Sequence, residues 1–234
     1  MKRISSKQIK KIVFGIMLSD GYIDRNGRLD LYNKNEEYIL FVKDVLEQIT
    51  LVKCHIYEKY DARFDVYGYR LTTNVTPYFK KIRKIFYDEN GVKRITKYIV
   101  DRLDFESLAH AWMCDGYMYH AMNRKENKVQ NLGYFCLEGF PPEELSLFIK
   151  RLSKLSIESR LEKVDWGFGF RPKISSLFLQ VFIDNIFQYV IPCFKYKTLL
   201  YYKSNKYLDS NLQSAEQYVI YYDNIEDIVR HSQQ

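Results

Sequence analysis

An internal repeat limits what this chain can fold into. Val13-Phe14-Gly15-Ile16-Met17-Leu18-Ser19-Asp20-Gly21 and Leu108-Ala109-His110-Ala111-Trp112-Met113-Cys114-Asp115-Gly116 are both apolar, helix-like runs that end in Asp-Gly. A 234-residue chain holding two such units reads as a duplicated domain in which each copy delivers one carboxylate, Asp20 or Asp115, to a shared place. The same order of elements, strand, helix, hairpin, helix, can be read after each Asp-Gly. In the first half the alternation of Arg28-Leu29-Asp30-Leu31-Tyr32 predicts a strand, and the spacing of Tyr38, Ile39, Phe41, Val42, Val45 and Leu46 predicts a helix over 36–49. Two β-rich runs over 52–60 and 63–73 and a helix over 77–87 complete it. The second half offers a strand over 133–140, a helix over 141–155, strands over 160–165 and 167–175 and a helix over 177–190. Both halves close on a basic stretch, Val92-Lys93-Arg94-Ile95 and Phe194-Lys195-Tyr196-Lys197.

Composition narrows the function classes. The chain is 47% hydrophobic and 28% charged, the balance of a globular protein rather than a disordered one. No apolar run approaches the roughly 20 residues that span a bilayer, and the Met-Lys-Arg-Ile-Ser-Ser start carries no apolar signal segment. An intracellular protein without a membrane partner is expected. Cys54, Cys114, Cys136 and Cys193 form no Cys-x-x-Cys pair and have no His at ligand spacing, so they read as reduced, buried thiols. With 36 Lys and Arg against 29 Asp and Glu, the net charge of +7 points to a polyanionic partner. The placement of the cations strengthens this. Arg28, Tyr32 and Lys34, then Lys53 and Lys59, then Arg63, Tyr67, Arg70 and Thr72 interleave basic, aromatic and hydroxyl side chains on first-half strands. Arg160, Lys163, Arg171 and Lys173 do so in the second half. A sheet that buries one face and shows such side chains on the other suits double-stranded DNA, whose bases and phosphates these groups contact.

The repeated carboxylate carries the chemistry. Taken singly, Asp-Gly is an ordinary turn pair. Two acids brought together at the ends of a buried helix pair would repel and lose hydration, an arrangement disfavoured unless cations sit between them. Divalent metal relieves it, and Mg²⁺ is often held by one or two carboxylates plus substrate phosphates. Gly15, Ala109 and Ala111 are small residues on otherwise bulky helices and would let the two backbones approach closely.

Both nonapeptides resemble the LAGLIDADG motif of homing endonucleases, and the chain is similar over residues 8–200 to members that carry two motifs in one polypeptide. The resemblance implies an α+β fold of two pseudo-symmetric αββαββα repeats, packed through their motif helices, each with an antiparallel sheet forming half of a DNA saddle. On that reading residues 1–98 are the first repeat, 99–200 the second, and 201–234 a helical extension, with Tyr218, Tyr221, Tyr222, Ile225 and Ile228 at helical spacing. It also implies a site-specific double-strand endonuclease acting as a monomer on a long asymmetric target, with Mg²⁺, or Mn²⁺ in its place, as cofactor. Asp20 and Asp115 would bind metal, helped by the backbone carbonyls of Ser19 and Cys114. Lys93 and Lys197 match the active-site lysines of the family, with Arg94 and Lys195 as alternative matches.

Departures from the motif are Phe14 where Ala is usual and His110 where Gly is usual, so helix packing differs there; Leu18 and Met113 replace the motif's earlier, variable Asp. His110, inside an apolar helix, reads as a hydrogen-bonded core histidine rather than a base, and Trp112 and Trp166 as core or interface residues. The competing class is a catalytically silent nucleic-acid binder on the same scaffold, a maturase with intron RNA as partner or a repressor; the paired carboxylates argue against it. An intein-embedded nuclease is disfavoured because no splicing segments flank the repeats.

Overall fold

The computed structural model describes residues 3–62, 65–123, 128–164 and 169–198. Arg63, Trp166 and the 201–234 extension lie outside them. In the first half, α1 (Ser6–Leu18) leads into β1 (Tyr22–Ile23), β2 (Leu29–Asn33), α2 (Glu36–Leu46), β3 (Cys54–Asp61), β4 (Val66–Thr73) and α3 (Pro77–Phe86). The short helix α4 (Lys97–Val100) connects to α5 (Phe105–Asp115), β5 (Gly116–Asn123), β6 (Lys128–Phe135), α6 (Pro142–Lys154), β7 (Ser159–Lys163), β8 (Phe170–Ile174) and α7 (Ser176–Ile186). A seven-residue 3₁₀ helix, Pro192–Thr198, follows. The order αββαββα thus occurs twice.

Local chemistry sets these boundaries. Side-chain caps start the helices: Ser5 Oγ accepts from Gln8 N, Thr76 Oγ1 from Phe79 N with Pro77 in the first turn, and Asp104 from Ser107 N. Polarity alternation locates β2, β3, β4, β7 and β8 but passes over β1 and β5. The first is two residues long, and the second opens Gly-Tyr-Met-Tyr, with no polar alternation. The strand expected over 133–140 is Lys128–Phe135; buried Leu137 in the turn beyond it extends the apolar pattern past the true end.

Both sheets are antiparallel and share one strand order, β1-β2-β4-β3 and β5-β6-β8-β7. In the first, Leu29, Leu31 and Leu71 are fully buried beneath the helices, while Asp30, Tyr32, Arg70 and Thr72 share the open face. The halves meet where α1 packs against α5. A Cβ on Gly15 would lie 2.2 Å from Ser107 O and 2.7 Å from His110 Cβ, so only glycine permits this approach. Lys11 Nζ, 2.5 Å from Asp104 and 3.4 Å from Glu106, ties the start of α5 to α1. One continuous core runs through both halves, from Phe14 against Phe86 to Trp112 against Phe135 and Phe182. Each fully buried aromatic or aliphatic side chain there contributes about 1.5–3 kcal/mol.

Candidate active site

The two motif helices deliver their Asp residues by one local device. Past α1 the chain folds back so that Gly21 N donates to Ile16 O at 2.8 Å, and a Cβ on Gly21 would sit 2.7 Å from that carbonyl. Gly116 N donates to Trp112 O, and a Cβ there would lie 2.4 Å from it. Glycine follows each Asp because the backbone closes onto the helix end. Gly116 has an ordinary φ of −75°, so this is not the left-handed turn that Asp-Gly pairs commonly make.

The basic stretches return to these helix ends. Lys93 Nζ donates to Ser19 O at 2.9 Å and Gly21 O at 2.7 Å. Lys197 Nζ donates to Met113 O at 2.8 Å and Cys114 O at 3.1 Å. Trp112 Nε1 donates to Lys197 O at 2.9 Å and so anchors the segment that presents the amine. The alternative cations are engaged elsewhere. Arg94 bonds Asp88 at 2.8 Å and Glu144 at 3.4 Å, and Lys195 lies over the Phe187 ring.

Electrostatics couples the four groups. Burial raises Asp20 above the usual carboxylate range although the residue reaches solvent; Lys197 and Lys93 oppose the rise. Asp115 is raised further, first by burial and then by the charge of Asp20, with Glu138 adding to it. Burial lowers Lys93 to about 8 and also lowers Lys197, while both carboxylates counteract this for each amine. Glu138 escaped the sequence reading. It stands in the turn after β6, where the corresponding turn after β2 carries Lys34, so the electrostatic environments of the two halves differ.

The donor set fits a hard divalent cation. Two carboxylates crowd together, and the backbone carbonyls beside them already attract cations. Burial pushes the Cys114 thiol up to about 12, so it stays protonated and is no thiolate ligand. Its Sγ donates to Tyr38 Oη at 3.2 Å. Among the described residues no three His, Cys, Asp or Glu side chains form a cage. His110 is buried between the rings of Tyr38 and Phe41, 6.4 and 5.6 Å away. Its burial fits the expected core histidine, and its Nδ1 has no hydrogen-bond partner.

Strand register sorts the expected DNA-contacting residues by face. Thr72 pairs with Asp30, and Arg70 with Tyr32 and Tyr57, and these, with Lys59 opposite Gly68, lie on the open face of the first sheet. Arg28, Lys34 and Lys53 are exposed and follow that parity just outside the strands. Tyr67 does not: it pairs with Tyr60, 5.0 Å between ring centroids, in register with buried Leu71 on the other face. On the second sheet Arg160, Arg171 and Lys173 share the open face with Tyr134, whereas Lys163 pairs with Phe170 on the opposite one. Two-residue periodicity separates Tyr67 from Arg70 and Lys163 from Arg160. Acids accompany the cations. Arg70 forks onto Asp30, and Lys173 Nζ lies 2.5 Å from Glu162. Tyr22, Tyr117 and Tyr119, on β1 and β5, are also exposed and were missed with those strands.

The LAGLIDADG DNA endonuclease family model matches residues 10–174. The fold is similar to that of the homing endonuclease I-WcaI bound to its DNA recognition sequence, with 26% identity, a TM-score of 0.69, and coverage of 85% of this chain and 89% of that one. Weaker similarity extends to the N-terminal LAGLIDADG domain of DUF199/WhiA (13% identity, TM-score 0.49, 80% and 86% coverage). Mesophilic variants of the homing endonuclease I-DmoI match at 15% identity and a TM-score of 0.46, over 78% and 96%. With two motif helices crossing at one site and two sheets of identical strand order, the chain belongs to the LAGLIDADG DNA endonuclease family, in its single-chain, two-motif form.

Proposed function

We propose that this protein is a site-specific, divalent-metal-dependent endonuclease that hydrolyses one phosphodiester in each strand of a DNA duplex. The observation that carries the reading is the convergence of Asp20, Asp115, Lys93 and Lys197 at the ends of two crossed helices, between two sheets with polar open faces. DNA binding without cleavage has no use for paired acids that would face phosphates.

Asp20 and Asp115, with the carbonyls of Ser19 and Cys114, would hold Mg²⁺, or Mn²⁺ in its place. Bound there, the ion supplies Lewis acidity to the phosphodiester and makes water a better nucleophile. The chain's own residues do the rest. The α1–α5 crossing fixes the spacing of the two carboxylates and so of the two cuts. Lys93 Nζ and Lys197 Nζ hold positive charge beside each reacting phosphate and offset the charge that builds as water oxygen joins phosphorus and the 3′ oxygen departs. Burial lowers Lys93 to about 8 and also lowers Lys197, so each amine holds its proton less firmly than a free lysine does.

Residues 1–98 and 99–200 would each read one half of the target, through Arg28, Tyr32, Lys34, Lys53, Lys59, Arg70 and Thr72 in one and Arg160, Arg171 and Lys173 in the other. The two-residue β1 against the eight-residue β5 favours half-sites of unequal extent. The test is cleavage of a duplex library with Mg²⁺ by wild type, Asp20→Asn and Asp115→Asn, with binding measured in Ca²⁺. One long site with a fixed short 3′ overhang for wild type, and retained binding without double-strand cleavage for the variants, is expected. Binding without any cleavage by wild type would identify a silent DNA-binding protein instead.

A further inference from the structure

Outside the open sheet face, the edge of the first half carries a basic notch of about 320 Å³, lined by Arg25, Lys80, Arg83, Lys84, Tyr87 and Asp88. Lys80, Arg83 and Lys84 come from α3 and Arg25 from the β1–β2 turn. Asp24 locks that turn by accepting the backbone N–H groups of Asn26 and Arg28 at 2.9 Å each. Gly27, at φ +87°, brings the turn against Lys80. Arg83 donates to Ile23 O, and Tyr87 Oη accepts from Ile23 N at 3.1 Å, so α3 caps the free edge of β1 while the Arg83 guanidinium lies 4.2 Å from the Tyr87 ring centroid.

The acid of the notch is already satisfied. Asp88 Oδ1 accepts from Asn90 N and Val92 N at 3.0 and 2.9 Å, and Oδ2 takes Arg94 Nε at 2.8 Å. Arg25, Lys80 and Lys84 make no ion pair among the described residues. Lys80 and Lys84, one turn apart on the helix, repel each other. Clustered, unneutralised cations around a rigid recess suit an anion. The notch is also contiguous with the open sheet face, because Tyr22 on that face packs edge-on against Tyr87 at 6.1 Å. A duplex lying across the sheet would bring its sugar-phosphate backbone past this edge.

We propose that the notch is a phosphate-binding site that grips the DNA backbone flanking the first half-site, contributing affinity without reading sequence. The inference rests on the DNA-binding reading above. It names Arg25, Lys80, Arg83 and Lys84 as backbone anchors, a role distinct from cleavage and from base contact.

The experiment compares wild type, a Lys80→Ala/Lys84→Ala double variant and a Lys150→Ala/Lys154→Ala control, which removes the same charge at the same spacing from the exposed face of α6. Binding to a labelled duplex of randomised sequence is measured in EDTA across a salt series, with a structured RNA of equal length in parallel. The notch variant is expected to bind DNA roughly three- to tenfold more weakly at low salt and to lose about 0.9 from the slope of log K against log salt for each phosphate released. The control should retain the wild-type slope. An unchanged slope in the notch variant, or the same loss in both variants, would overturn the site. A loss confined to RNA would overturn its assignment to DNA. Wild type that retains no duplex at all would overturn the DNA-binding reading and the notch together, whereas retention by wild type and notch variant alike removes only the notch.

Discussion

Asp115 is held in an environment that resists its charge. Burial and the neighbouring Asp20 both raise it, and the lysines compensate only in part. A carboxylate kept under such conditions costs stability that it would return as function. Asp115→Asn, measured in chelator at pH 8 by thermal unfolding, is therefore expected to be more stable than wild type by on the order of 1 kcal/mol, roughly 2–4 °C for a chain of this size, while losing double-strand cleavage. A variant less stable than wild type would place Asp115 in a structural role. Asp20 and Asp115 were legible in the sequence because they recur after matched apolar runs. Glu138 was not, since a lone acid in a turn has no partner in the first repeat to mark it.

Among the elements, the helix pair and the sheet faces make separate predictions. Gly15 lies against the Ser107 carbonyl, which is backbone and cannot swing aside. Gly15→Ala should force α1 from α5, lowering stability by about 1–3 kcal/mol and slowing cleavage of both strands, because the spacing of Asp20 and Asp115 changes with it. Chemical denaturation and strand-resolved cleavage would check this. On the first sheet, Arg70 is pre-positioned by Asp30. Removing Arg70 alone leaves Asp30 facing DNA, so Arg70→Ala should cost roughly 1–3 kcal/mol in binding. The Asp30→Ala/Arg70→Ala pair should recover part of that loss, and a double-mutant cycle showing no coupling would refute the arrangement. Alternation in the sequence placed Arg70 and Thr72 on a strand, but assigning Tyr67 and Lys163 to the same face as their neighbours ignored the two-residue period that the register makes visible.

At the scale of the whole molecule, His110 lies beside Gly15 where the two halves meet. Burial pushes its imidazole down to about 3, against an ordinary 6.5. Because the folded value is below the unfolded one, the contribution of neutral His110 is fully present above pH 6.5 and is lost as the pH falls toward 3, at about 1.4 kcal/mol per pH unit within that window. Between pH 7 and pH 5, wild type should lose about 2 kcal/mol more than His110→Leu, by urea unfolding; equal losses would show that another group sets acid sensitivity. At this scale the division between sequence and structure is plain. The sequence by itself determined the duplication, the motif helices, most of the strands and the two recurring carboxylates, because each is written in local periodicity or in repetition along the chain. Only the tertiary structure decided that Lys93 and Lys197, rather than Arg94 and Lys195, reach the motif carbonyls, and that α3 with the β1–β2 turn forms a cationic notch. Those depend on which atoms a folded backbone brings together across scores of residues. No period in the sequence encodes that distance.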